Sequence, residues 1–406
     1  MSISDRIKRI MIYTWGSNSE QPLINALSRD TGLIMTAFSH DMKDYHADAG
    51  FSQAFLDSLH QIKPDAVFSY DYFPLIAMIC SLNKIPYISW IYDCPQYTLN
   101  SLTINEPYNF IFCFDRIYAE TIRSFGAAHV FHQPLGVDVD GWQKLLSAGQ
   151  PSYGHCCLSD ISDGVSFIGS FYDDCVKNRI RSASFDDQTR GYIDGLIRSQ
   201  SDIWGSSFIY DALDDTAAVD ICNACGLSLN SELYSYSNRR LAADAINMEL
   251  TRHDRTGSVA RISEKHPVHV WTSALPQELC RKPDVFFHGY ADYMSQLPYI
   301  FRDSAVNLNF TSRSIESGIP LRVLDILACG GFCLTYYQPE IASDFENGRD
   351  LVMAESQDEM PVLADYYLTH PDERSCIAKN GFKRVHDLFS LTAQFKNILH
   401  TVDENM

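Results

Sequence analysis

Residues 305–336, AVNLNFTSRSIESGIPLRVLDILACGGFCLTY, constrain the fold more than any other stretch. Residues 305–310 form a short, mainly apolar run with the length of a buried strand. A polar loop, 311–318, follows. Ile319, Val323, Leu324, Leu327 and Ala328 then recur at helical spacing. Pro320 suits the first helical turn, where no N–H partner is needed. Gly330 and Gly331 stop the helix, and 332–337 reads as the next strand. Strand, loop, helix, strand is the repeating unit of a parallel sheet.

The loop and helix start also carry chemistry. A helix N-terminus offers unpaired N–H groups and partial positive charge, which favour a phosphate. Gly318 lets backbone approach a ligand closely. Arg322 can add a charge-assisted bond to a diphosphate. Asp325, one turn further on, can accept two hydrogen bonds from a ribose diol. The same residues also fit an ordinary helix with Arg322 and Asp325 solvated or paired locally.

The alternation runs along the whole chain. Strands are expected at 9–15, 33–38, 65–70, 85–92, 110–114 and 129–131, with helices at 21–27, 51–62 and 74–82. This spacing implies a doubly wound parallel sheet whose ligands sit beyond the carboxyl ends of the strands. Gly16, Asp71, Asp93 and Asp115 would then line one rim. The polar segment 133–142 ends this domain, with the boundary near residue 150. A second sheet is expected from strands at 165–168, 268–272, 284–288, 305–310, 332–336 and 351–354. Between its first two strands, about 171–264 breaks the pattern. Tyr192, Ile193, Leu196 and Ile197, and then Leu241, Ala242, Ala245, Ile246 and Leu250, mark a helical insertion packed on the second domain. Helices at 357–369, 372–389 and 391–399 close the chain.

Gly169-Ser170 directly follows a strand, where a small loop can present N–H groups to phosphate or simply turn the chain. Asp93 ends its strand in WIYDCP; it is a candidate general base or the cap of the turn before Pro95. Asn309, also at a strand end, is a donor-cleft ligand or a turn former. Cys222 and Cys225 make one thiol pair. A structural zinc usually needs two such pairs, and the adjacent Cys156 and Cys157 cannot chelate in the same way, so no metal site is expected.

The chain has 406 residues, enough for two domains with full cores. No apolar run reaches the length of about 18 residues needed for a membrane span. The N-terminus lacks a secretory apolar core. Twelve Cys are scattered through it, which fits reduced thiols and a cytoplasmic protein. A net charge of −19 argues against nucleic acid and against anionic lipid as partners.

The segment GIPLRVLDILACGGFCLT resembles the donor-site helix of the group-1 glycosyltransferases, closest to the CgeB-like spore-maturation branch. Phe345-Glu346-Asn347-Gly348, His370-Pro371 and Asn380-Gly381 downstream resemble the same family. So do Phe287-His288-Gly289-Tyr290 and 165–170 upstream. The resemblance covers the C-terminal half well and the N-terminal half more loosely. Two departures stand out. Asp325 replaces the usual Glu, and Ser317 occupies the position of an earlier family Glu, with Glu316 one residue before it.

The resemblance implies an α/β GT-B fold: two Rossmann-like domains facing a cleft. Residues 1–150 would bind the acceptor, 151–389 the nucleotide sugar, and the 390–406 helix would pack back on the first domain. The implied donor set is Gly169, Ser170, His288, Gly289, Tyr290, Asn309, Gly318, Ile319, Pro320, Arg322 and Asp325, with Asp93 catalytic. The implied reaction is metal- and cofactor-independent transfer of a sugar from a nucleoside diphosphate to an unknown acceptor. An epimerase, a phosphorylase or a catalytically silent nucleotide-sugar binder on the same frame is the alternative. A nicotinamide dehydrogenase is disfavoured, since neither first loop spells Gly-x-Gly-x-x-Gly.

Overall fold

The computed structural model describes residue 4 and residues 6–149, 151–154, 158–174 and 177–406. Cys156 and Cys157 lie outside the described residues. The chain divides into two compact units, each built on its own parallel sheet.

The first unit comprises Met1–Gly141, Leu229–Tyr236 and Phe389–Met406. Its strands are β1 (Arg9–Tyr13), β2 (Ile34–Phe38), β3 (Ala66–Tyr70), β4 (Tyr87–Ile91), β5 (Asn109–Cys113) and β6 (Val130–His132). They lie in the order β2-β1-β3-β4-β5-β6. β3, β4 and β5 are buried at every residue, as expected where helices cover both faces of a parallel sheet. The order reverses between β1 and β3, because the chain first steps out to β2 and then crosses back. Such a switch point opens a crevice at the carboxyl ends of the strands.

The last helix, Leu391–Asn405, completes this unit. Phe395 meets Phe68 edge-on at 5.3 Å, and the Thr392 hydroxyl donates to Asp30 at 2.7 Å. Asp138, in a connector that spells Asp-x-Asp, is engaged by Arg29 at 2.8 Å. The segment Leu229–Tyr236 falls inside the stretch expected to pack on the second domain, yet it belongs here. Leu102 N–H donates to the Leu233 carbonyl at 3.0 Å, and Ser235 N–H to that of Asn100 at 2.7 Å.

The second unit comprises Trp142–Ser228 and Ser237–Leu388. Its strands are β7 (Val165–Ile168), β8 (Val268–Trp271), β9 (Val285–Phe287), β10 (Val306–Asn309), β11 (Cys333–Tyr336) and β12 (Val352–Ala354). The order is β12-β11-β10-β7-β8-β9, so the reversal falls between β7 and β10. The region between β7 and β8 is helical. Its longest helix, Asn238–Ile262, is part of the fold itself, because Val259 and Ile262 pack with Val165, Val268 and Leu308 in the core. Parallel neighbours need such a crossover.

Candidate functional site

The loops leaving β7 and β10 meet at the switch point of the second sheet. Gly169 follows β7 at φ +153°, and a Cβ there would lie 2.9 Å from Arg322 Nη2. The guanidinium therefore rests against backbone that only glycine leaves bare. Arg322 belongs to the helix Leu321–Ala328, whose start no side chain caps. That helix begins after Pro320, one residue later than the pattern suggests. Pro320 is the cap residue, extended at φ −69° and ψ 144°, and its carbonyl accepts the Val323 N–H at 3.0 Å. Gly318 and Ile319 are buried beneath it, Ile319 anchoring the turn in the core.

A second guanidinium, not singled out in the sequence, completes the arrangement. Arg255 is buried. Its Nε and Nη2 donate to the Phe310 carbonyl at 3.1 and 2.7 Å, and its Nη1 donates to the Ser170 carbonyl. It thus ties the loop after β7 to the loop after β10. Burial lowers its pKa to about 10, with the Arg322 charge adding to the effect and Tyr172 opposing it. Both groups stay cationic at neutral pH. Two confined like charges of this kind favour an anion between or beside them. The signal was present in Arg252-His253-Asp254-Arg255, a charged cluster on the crossover helix. All but His253 are buried.

The loop 311–318 is rigidly held. Arg313 pairs with Asp254 at 2.6 Å and lies 3.4 Å over the Trp204 ring. Ser317 donates to Glu340 at 2.7 Å. Glu316 is 3.5 Å from Arg240, in keeping with its displacement from the family position.

Asp325 sits deeper than a ribose contact would suggest. It is 4% exposed, and the Tyr293 hydroxyl donates to both its oxygens at 3.1 and 3.2 Å. Burial raises its pKa to about 7 against the pull of Tyr293, Trp142 and Arg322. Asn309 is fully buried, and its amide donates to Thr311 and Thr335 at 3.0 and 2.9 Å. It ties β10 to β11 and does not line a cleft. His288 stacks on Trp271 at 4.6 Å and shares a 2.9 Å hydrogen bond with His269, which burial keeps neutral. Gly289 turns the chain at φ +76° and leaves Tyr290 70% exposed. Ser170 is exposed at the end of its loop, and its hydroxyl accepts the Tyr172 N–H at 3.0 Å. Cys222 and Cys225 are buried thiols with raised pKa values. Among the described residues, no group of three or more His, Cys, Asp or Glu could hold a metal ion.

The first unit carries a cleft of about 820 Å³ at the carboxyl ends of β1 and β3, where the strand order reverses. Gly16, Asp71 and Asp93 line it, together with Trp15, Tyr45 and Phe73. Glu20 holds the first loop by accepting the Trp15 and Gly16 N–H groups at 2.9 and 3.3 Å. Asp71 adopts φ +62°, a conformation that costs a non-glycine residue on the order of 1–3 kcal/mol. Its Oδ1 accepts the N–H groups of Tyr92 at 2.9 Å and Asp93 at 3.0 Å. Burial and the Asp93 charge raise its pKa to about 7. Asp93 is exposed in the cleft. Asp115 does not join it. It is fully buried and caps the helix Arg116–Ser124 by accepting the Tyr118 N–H at 2.9 Å.

Residues 252–400 match the family described as glycosyl transferase-like. No functionally curated protein matches the chain. Anabaena HepE, solved in complex with UDP, is 10% identical with a TM-score of 0.55, over 98% of this chain and 100% of that one. The same protein with UDP-glucose gives 10% identity and 0.55 over 98% and 99%. Sucrose-phosphate synthase from Thermosynechococcus elongatus gives 10% and 0.56 over 97% and 98%. The likeness is one of fold. The chain has the GT-B fold, with two Rossmann-like domains.

Proposed function

We propose that the protein is a metal-independent glycosyltransferase of group 1, in the CgeB-like branch, which moves a sugar from a nucleoside diphosphate to an acceptor hydroxyl. The observation that carries this reading is the pair Arg322 and Arg255 around the Gly169-Ser170 loop, at the switch point of the second sheet. A sugar leaving a diphosphate puts negative charge on that group as the bond breaks. Cations and N–H groups already in place stabilise that charge without reorganising. Two guanidinium groups and an uncapped helix start supply it here.

In the step itself, the acceptor oxygen bonds to the anomeric carbon and the bond from that carbon to the diphosphate oxygen breaks. The acceptor proton passes to Asp93. Asp71, which accepts the Asp93 N–H, positions that residue. The nucleoside diphosphate leaves. Most of the described cysteines are buried, as thiols that serve as packing residues in a reducing, cytoplasmic setting would be.

Calorimetric titration with UDP-, GDP- and dTDP-sugars tests the reading. UDP-glucose is the first donor to try, since HepE is solved with it. Binding that Arg322→Ala weakens at least about tenfold is expected for a lost charge-assisted contact. Absence of heat and of thermal shift with every donor would count decisively against it.

A further inference from the structure

We infer that the cleft of the first unit receives an uncharged saccharide as acceptor and turns away phosphorylated and carboxylated sugars, an inference that rests on the transferase reading above. Its walls are aromatic and fixed. Phe73 is 7% exposed and meets Tyr13 edge-on at 5.0 Å. Trp15 and Tyr45 lean on Phe73 at 6.4 and 5.9 Å, both edge-on. The Trp15 indole N–H donates to the Tyr70 carbonyl at 2.9 Å, so the ring cannot swing away. Trp15 and Tyr45 remain 38% and 45% exposed. Their faces carry negative quadrupole charge, which matches the weakly positive C–H face of a pyranose.

The charge on the walls has one sign. Glu20, Asp41, Asp71 and Asp93 line the cleft, and no Lys or Arg is among its described lining residues. A concave surface of one sign focuses its field and repels like charge. The carboxylates also suit hydroxyl donors. Asp71 is 4% exposed, and its Oδ1 takes the Tyr92 and Asp93 N–H groups, so Oδ2 is left to accept from a sugar hydroxyl. His40 is the one imidazole among the described lining residues, and its Nδ1 is 3.0 Å from the Asp41 carbonyl. Tyr97 lines the same cleft and packs edge-on against Tyr236 at 5.9 Å. The Leu229–Tyr236 segment therefore helps to shape it. The acceptor hydroxyl oxygen takes the sugar at its anomeric carbon and loses its proton to Asp93, as in the step above.

The test uses the full chain and a matched panel: maltose, cellobiose, glucose 6-phosphate and glucuronate. Donor consumption should rise at least about tenfold more with an uncharged disaccharide than with either anionic sugar. Trp15→Ala should raise the acceptor KM about tenfold while nucleotide affinity stays unchanged. Tyr45→Ala, at an exposed position, gives a second reading should Trp15→Ala fold poorly. A preference for the anionic sugars would overturn the inference, as would unchanged acceptor KM in both variants. Nucleotide titration is scored separately. Binding of nucleotide with the wrong acceptor preference defeats this inference alone, whereas absence of nucleotide binding defeats the transferase reading. Saturation-transfer NMR of the same panel on nucleotide-free protein tests the cleft in either event: loss of the uncharged signal in Trp15→Ala supports it, and stronger signal from the anions overturns it.

Discussion

The Arg322 guanidinium lies so close over Gly169 that a Cβ on that glycine would sit 2.9 Å from Nη2. The loop after β7 and the helix Leu321–Ala328 thus hold one another in position, and the side chain that faces the proposed diphosphate is fixed by the absence of a methyl group. Gly169→Ala should push Arg322 aside and strain a backbone at φ +153° by on the order of 1–3 kcal/mol. Nucleotide affinity is expected to fall about tenfold or more, with a smaller loss of thermal stability. Unchanged affinity by calorimetry would show that Arg322 has no part in binding.

The Asp71–Asp93 pair gives a prediction for activity against pH. Asp71 titrates near 7 because it is buried beside another carboxylate. The pair therefore gains its second negative charge only as pH rises through that region, and a second charge beside Asp93 makes that carboxylate a stronger proton acceptor. Turnover should climb with pH from about 6 and level off above about 8. Asp93→Asn should lower kcat by about 10²–10⁴-fold with nucleotide affinity intact. Asp71→Asn keeps the acceptor for the Tyr92 and Asp93 N–H groups and should flatten that rise, since the group that titrates near 7 is gone. A flat profile in the unmodified protein would show that the Asp71 charge has no part in the chemistry.

Asp325 predicts stability against pH. Its carboxyl rises from 3.8 to about 7 on folding because it is buried. Between those values the folded chain keeps a proton that the unfolded chain has lost. The contribution is therefore full below the lower value and disappears as pH rises through the upper one. Asp325→Asn retains an acceptor for Tyr293 and carries no charge. Its Tm should fall less than that of the unmodified protein between pH 5 and about 8. Parallel Tm curves for the two proteins would show that this carboxyl does not titrate in that window.

The inner strands were legible because they are short apolar runs buried along their whole length, the pattern that helices on both faces of a parallel sheet impose. The edge strands β2 and β9 are largely open and were read from their place in the alternation. The order of β1 and β3, or of β7 and β10, was legible only through the alternation with helices. Single residues were harder. Asp93 and Asp115 both end strands, yet one opens into a cleft and the other caps the helix that follows. A strand-end Asp serves either purpose, and nothing local separates them. Arg255 escaped notice because its partners, Ser170 and Phe310, lie far along the chain on either side. Asn309 stayed open between a cleft ligand and a turn former because a strand end alone does not say whether its last side chain is exposed; here it is buried. The Leu229–Tyr236 segment could not be separated from its helical surroundings, since its hydrogen bonds are to backbone groups near Ser101.

The loop that precedes the helix start depends on one buried ion pair. Arg313 is bonded to Asp254 at 2.6 Å, with both side chains under a tenth exposed, and its remaining nitrogens donate to the Ile203 and Ser201 carbonyls at 2.6 and 3.2 Å. Burial pushes the Asp254 pKa upward and Arg313 pulls it back, so removing the arginine leaves a buried carboxylate without its ion-pair partner, held by Gln357 at 2.7 Å. Arg313→Ala should therefore lower unfolding free energy by about 3–5 kcal/mol and weaken nucleotide binding by loosening the 311–318 loop. The double variant Arg313→Met with Asp254→Leu removes both charges and should recover most of the stability, while the loop loses its anchors on Ile203 and Ser201. Urea denaturation of the two variants separates the contributions. Recovery of stability without recovery of nucleotide affinity would mean that the pair fixes the geometry of the helix start. Recovery of both would mean that packing alone holds the loop.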